Sequence, residues 1–175
     1  MSARIPQRHA KQDLLLDEGA LAERIFQHID AETTDLGESM WREPVSHYLN
    51  HARFEAECAV IRRHPTPFCP SAALPHQGSY LARVAAGNPI VVSRDDVGTV
   101  RAFINACRHR GMQVAEGSGC AKAFSCPYHG WTYGLDGTLK GIPGQAGFPA
   151  LDRDQHRLVE ISAIERGGII YVQQE

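Results

Sequence analysis

The stretch 105-NACRHRGMQVAEGSGCAKAFSCPYHGWTYGLDG-137 decides how the rest of the chain is read. It holds three cysteines and two histidines among glycines, a proline and aromatics. Two of the thiols pair with imidazoles at very short spacing. Cys107-Arg108-His109 is C-x-H, Cys126-Pro127-Tyr128-His129 is C-x2-H, and sixteen residues separate His109 from Cys126. Each pair offers one soft thiolate and one imidazole from a tight loop. Gly111 and Gly130 stand just beyond the pairs, where a chain reversing around a compact site needs unusual dihedrals or a close backbone approach. Pro127 stiffens the second loop by fixing its own backbone angle.

Two sulfur and two nitrogen donors suit a tetrahedral zinc ion, or a two-iron cluster with one histidine-ligated iron. Several features favour iron and sulfur. Structural zinc often uses C-x2-4-C knuckles, whereas C-x-H brings two donors from a still shorter spacing. The flanks "RAFINAC" and "AKAFSC" lead a strand into each loop, as two β-hairpin tips facing one another would require. Trp131 and Tyr128 would then exclude water, and a low-dielectric shell of this kind tunes a reduction potential. Arg108 and Arg110 either solvate the loop or serve docking and raise the potential. Tyr133 reads as strand packing. Cys120, in the glycine-flanked "GSGCAKA", is surplus to the four donors and reads as a loop or partly buried free thiol. Cys58 and Cys69 read as ordinary buried or loop thiols. His47, His51, His64, His76 and His156 fall in no ligand spacing.

Outward from this stretch the chain is ordinary. Hydrophobic residues make up 43% and charged residues 22% of its 175 positions, a globular composition. With 18 basic and 20 acidic residues the net charge is -2, which gives no electrostatic case for nucleic acid. No segment reaches the roughly 18 to 20 apolar residues of a membrane span, and "LLL" near the N-terminus is too short for a signal peptide. Five cysteines, an odd number, argue against a complete disulfide framework. The cytoplasm is the expected location.

Leu21, Ile25, Phe26 and Ile29 predict a helix over Asp17–Glu32 that packs on a domain or a partner. A second helix is expected over His51–Arg62 after the cap Asn50, with Phe54, Cys58 and Ile61 on its buried side. The segment Arg63–Gly78, with four prolines, reads as non-repetitive. Thereafter the texture is strand-like: "SYLARVA", "PIVVS", a turn at Asp95–Gly98, "TVRAFINA", "WTYG", a turn at "LDGT", "HRLVEISAIE" and "GGIIYVQ". The fold class is mainly β with N-terminal helices, a small antiparallel sandwich or barrel. The division expected is a helical extension and proline-rich connection over residues 1–77, then the metal-binding domain over 78–175.

"CRHRG" followed by "CPYHGWTYGLDGTLKGIP" resembles the Rieske [2Fe-2S] motif, in the form found in the α subunits of ring-hydroxylating oxygenases. "VSHYLNHARFEAECAVI", "GNPIVVSRDDVGTVRAFINACRHRG" and "GFPALDRDQHRLVEISAIERGGIIYV" extend the likeness over roughly Val45–Val172. The resemblance implies one [2Fe-2S] cluster per chain, with Cys107 and Cys126 on one iron and His109 and His129 on the other. Arg108, Arg110, Gly111, Pro127, Tyr128, Gly130 and Trp131 would surround it. Respiratory-type Rieske proteins carry an extra disulfide beside the cluster; Met112 and Tyr128 occupy those places here.

In that family the electron comes from a ferredoxin or flavoprotein reductase. It passes to a mononuclear iron held by two histidines and a carboxylate in a C-terminal catalytic domain, within head-to-tail trimers. His109 is the ligand preferred here for a hydrogen bond to a bridging carboxylate. No candidate for that triad follows Val172, so this chain alone is not expected to hydroxylate anything. A stand-alone Rieske ferredoxin and a structural zinc or interaction module are the alternative readings.

Overall fold

The computed structural model describes residues 17–37 and 39–175. Residues 1–16, which hold the "LLL" run weighed above as a signal peptide, lie outside the described residues. The chain divides into two units, Met1–Pro44 and Val45–Glu175. In the first, helix α1 spans Glu18–Asp30, within the range expected. The Asp17 carboxylate caps it by accepting from the Ala20 N–H at 2.8 Å, satisfying a backbone donor that has no partner inside the helix. Its apolar stripe of Leu21, Ile25, Phe26 and Ile29 is exposed.

The second unit opens with a short helix α2 (Ser46–Leu49) and then α3 (His51–Arg63). Asn50 caps α3 as expected, accepting from the Arg53 N–H at 3.0 Å. Of the three residues expected on its buried side only Cys58 is buried; Phe54 and Ile61 are exposed. The helix is anchored by its end rather than its flank. The Arg62 carbonyl accepts from the backbone N–H groups of Gln174 and Glu175 at 3.0 and 3.1 Å, and its guanidinium donates to the Ala86 carbonyl at 2.9 Å.

Ten strands follow: β1 (Thr66–Pro70), β2 (Ser79–Ala85), β3 (Asn88–Arg94), β4 (Val100–Ile104), β5 (Ser118–Cys120), β6 (Ala123–Ser125), β7 (Thr132–Gly134), β8 (Leu139–Gly141), β9 (Glu160–Arg166) and β10 (Ile169–Gln173). Seven form one antiparallel sheet in the order β1-β10-β9-β4-β3-β2-β5, and β6-β7-β8 form a second. β1 corrects the expectation that Arg63–Gly78 has no regular structure. It is an edge strand, the one place in a sheet where prolines are tolerated, and its register with β10 slips between Pro67 and Cys69. The sheet therefore takes in a strand from the N-terminal side of the 77/78 division.

The period-2 pattern of β3 explains how the sheet divides its core. Ile90 and Val92 join Phe68, Cys69, Leu74, Ala102, Ile161, Ile170 and Val172 on one side. Val91 faces the other way, with Phe103, Cys107, Val114, Phe124, Cys126, Trp131, Tyr133 and Leu135. β3 is buried on both faces, which is why "PIVVS" reads as a continuous apolar run. Burying each such side chain contributes about 1.5–3 kcal/mol. The second of these cores places the three-stranded sheet, and with it the Cys-His loops. The turn expected at Asp95–Gly98 is present, with the buried Asp95 carboxylate accepting from the N–H groups of Val97 and Thr99 and from Arg101. Among the described residues no helix is long and apolar enough to cross a membrane.

Candidate metal centre

The two Cys-His stretches close by one backbone pattern. In the first loop the Cys107 N–H donates to the Met112 carbonyl at 2.7 Å, and the Gly111 N–H donates to the Cys107 carbonyl at 2.8 Å. In the second the Cys126 N–H donates to the Trp131 carbonyl at 2.8 Å, and the Gly130 N–H to the Cys126 carbonyl at 2.9 Å. Each cysteine is thus clipped to the residues four and five places on, although its histidine lies two places on in one loop and three in the other. The clip needs a left-handed residue just past the histidine, and Gly111 and Gly130 supply it with φ of 76° and 71°. At Gly130 the chain is also crowded: a Cβ there would lie 2.9 Å from Pro143 Cγ.

The loops are mounted differently. The second is the tip of the β6–β7 hairpin, with Ser125 paired to Thr132. The first leaves β4 and returns through β5, which pairs with β2 instead. Asn105, buried at its base, holds it closed. Its side-chain oxygen accepts from the N–H groups of Val114 and Ala115 at 2.9 and 3.2 Å, and its amide donates to the Ala115 carbonyl at 2.7 Å. Asn105 escapes a sequence reading because it ends a strand pattern. The usable signal is an amide between two apolar residues, a type rarely buried without partners.

Cys107 and Cys126 are buried, His109 is half-buried and His129 is exposed. The imidazoles face each other with ring centroids 4.8 Å apart. The four side chains thus run from enclosed sulfur to accessible nitrogen, and His129 is the more accessible of the two imidazoles. Burial, then the neighbouring His129 and Arg110, holds the His109 pKa below its ordinary value, favouring the neutral form that binds metal. Trp131 is 2% exposed and lies against the His109 ring. Tyr128 stacks on His129 at 3.8 Å but is 54% exposed, so it shields far less. Arg108, Arg110 and Pro127 are exposed on the loop surfaces, with the Arg110 guanidinium 6.0 Å from the Tyr128 ring centre.

Tyr133 does more than pack. Its hydroxyl lies 3.3 Å from Cys107 Sγ and accepts from the Arg108 N–H at 3.0 Å. Burial and then the contact with Cys107 push its pKa well above the ordinary phenol value, while the Arg108 N–H pulls the other way. The group therefore stays a phenol, with its proton available to the sulfur. A wholly buried tyrosine needs a hydroxyl partner, and that requirement was the readable sign. Cys58 and Cys69 are buried free thiols, and Cys120 is a free, exposed thiol on the edge strand β5 rather than in a loop. Two thiols and two imidazoles match in number a binuclear core in which each iron takes two protein donors.

The Rieske [2Fe-2S] domain matches residues 64–158. The chain belongs to the Rieske [2Fe-2S] domain family. The cofactor of that family is the [2Fe-2S] cluster, and the donor set described above fits it. The chain is 40% identical over 100 residues to the glycine betaine monooxygenase oxygenase subunit of Chromohalobacter salexigens, covering 57% of this chain and 22% of that one. It is 30% identical over 158 residues to the biphenyl 2,3-dioxygenase subunit alpha of Rhodococcus jostii, covering 88% of this chain and 34% of that one. The crystal structure of the quaternary ammonium Rieske monooxygenase CntA in complex with gamma-butyrobetaine superposes with a TM-score of 0.71. It is 28% identical and covers 77% of this chain and 39% of that one. This Rieske chain thus spans between a fifth and two-fifths of the length of these relatives. The mainly β fold expected from sequence is the fold of these oxygenases.

Proposed function

We propose that this chain is the electron-transfer part of a Rieske-type non-haem iron oxygenase, mono- or dioxygenase, working in the cytoplasm. The observation that carries the reading is the pair of matched clips, each holding a buried thiol beside a more accessible imidazole. Cys107 and Cys126 would hold one iron, and His109 and His129 the other. When bound, the cluster supplies a one-electron couple whose potential lies above that of an all-cysteine centre, because two of its ligands are neutral.

The chain's own residues have separate tasks. The Tyr133 hydroxyl, itself held by the Arg108 N–H, braces Cys107. Trp131 keeps water from His109. Exposed His129 presents an imidazole edge where electrons enter and leave. Arg108 and Arg110 suit the acidic surface of a ferredoxin or flavoprotein reductase as donor. The role belongs to residues 78–175, with β1 supplied to the sheet edge by the preceding segment. In the complete oxygenase the acceptor would be a mononuclear iron in a further domain, reached across a subunit boundary of a homotrimer.

Iron and acid-labile sulfide, quantified on one anaerobic sample and followed by electron paramagnetic resonance after dithionite, test this reading. About two irons and two sulfides per chain, with a rhombic signal averaging below about g = 2, are expected. One zinc and no sulfide would sink it.

A further inference from the structure

The two imidazoles sit in unlike surroundings. The Trp131 indole lies against His109 with ring centroids 5.0 Å apart and planes 7° from parallel. Phe148 stands edge-on to both rings, 6.1 Å and 86° from His109, and 5.6 Å and 87° from Trp131. One parallel and one perpendicular neighbour together restrict how the imidazole plane can turn. Both neighbours are themselves fixed. Trp131 is buried, its carbonyl is held by the Cys126 N–H, and its ring also meets His156 at 6.0 Å.

Phe148 belongs to neither ligand loop. It follows a 3-10 turn at Gln145–Gly147, and its N–H donates to the Gln145 carbonyl at 2.8 Å. Arg153 pins that turn by donating to Gln145 Oε1 at 2.6 Å and to the Lys140 carbonyl at 2.8 Å. His129 has no such enclosure. Its stacking neighbour, Tyr128, is adjacent in the chain and half exposed, so the two can move together.

We propose that Trp131 and Phe148 are positioning residues that fix the plane of the His109 imidazole, leaving His129 as the adjustable, partner-facing ligand. The proposal rests on ligation by His109 and His129. It assigns a task to a segment after the second loop that carries no metal donor. It also makes the two nitrogen ligands distinguishable: one ring held in a single orientation, the other spread over several.

The test is electron–nuclear double resonance on reduced, cluster-loaded protein labelled with 15N-histidine. Wild type is expected to show one sharp and one broad nitrogen coupling. Phe148→Leu and Trp131→Leu should broaden the sharp coupling, Trp131→Phe should restore it, and Tyr128→Leu should change only the broad one. Both leucine variants keeping full iron and sulfide with the sharp coupling unchanged would overturn the proposal and leave the ligation reading intact. Loss of iron from both Phe148→Leu and Trp131→Phe, at unchanged circular dichroism, would also overturn it, assigning the rings to cluster retention instead. A wild-type protein with no iron or sulfide would overturn proposal and ligation together.

Discussion

The first Cys-His loop, residues 105–115, joins two strands that do not pair with each other, whereas the second, residues 125–132, closes a hairpin. Both end in the same backbone clip around a cysteine. The hairpin obtains its geometry from the β6–β7 ladder and from Gly130 against Pro143. The longer loop has no ladder of its own, so buried side chains do the same work: Asn105 at its base and the Tyr133 hydroxyl at its tip. Equivalent loop geometry can thus rest on a strand ladder in one loop and on buried side-chain hydrogen bonds in the other. The two should fail differently.

The largest expected effect does not discriminate between them. Cys126→Ser removes one of two buried thiols and should abolish iron binding, with a lowered melting temperature, because metal binding and folding are coupled. Iron analysis and calorimetry check this, and a fully loaded variant would break the assignment. Asn105→Ala separates the loops. It removes three buried hydrogen bonds, at about 1 kcal/mol each, so roughly 3 kcal/mol should be lost in denaturant titration. Hydrogen exchange should quicken at Val114 and Ala115 while the amides of Cys126 and Gly130 stay protected. Equal loss of protection in both loops would contradict the comparison.

The glycines sharpen it further. Gly111→Ala meets only the strain of a positive φ, about 1–2 kcal/mol, since nothing lies within 4 Å of the added carbon. Gly130→Ala adds the overlap with Pro143 and should melt a few degrees lower than Gly111→Ala. The reverse order would show that the second loop is the softer one. Tyr133→Phe is the mildest change. Losing a donor to the Cys107 sulfur should lower the reduction potential by roughly tens of millivolts, read by redox titration, with stability falling by about 1 kcal/mol.

The two Cys-His loops were legible because C-x-H and C-x2-H are local spacings bounded by glycines. Most strands were legible from period-2 alternation bounded by turn residues. β1 was not, because Pro67 and Pro70 mark a chain as irregular unless its place at the sheet edge is known. The exposed flank of α3 was not, because periodicity identifies an apolar stripe at Phe54 and Ile61 but not what covers it. Asn105 acts across its own loop on Val114 and Ala115, and Tyr133 and Phe148 meet Cys107 and His109 from dozens of residues away. A spacing rule sees none of these.

Two thiols on one iron and two imidazoles on the other would make the two irons unlike. Mössbauer spectroscopy of 57Fe-loaded, dithionite-reduced protein reads that difference. Two unequal irons are expected, a ferric site with sulfur donors and a ferrous site with nitrogen donors. Two irons with identical parameters, or a single iron site per chain, would contradict that arrangement.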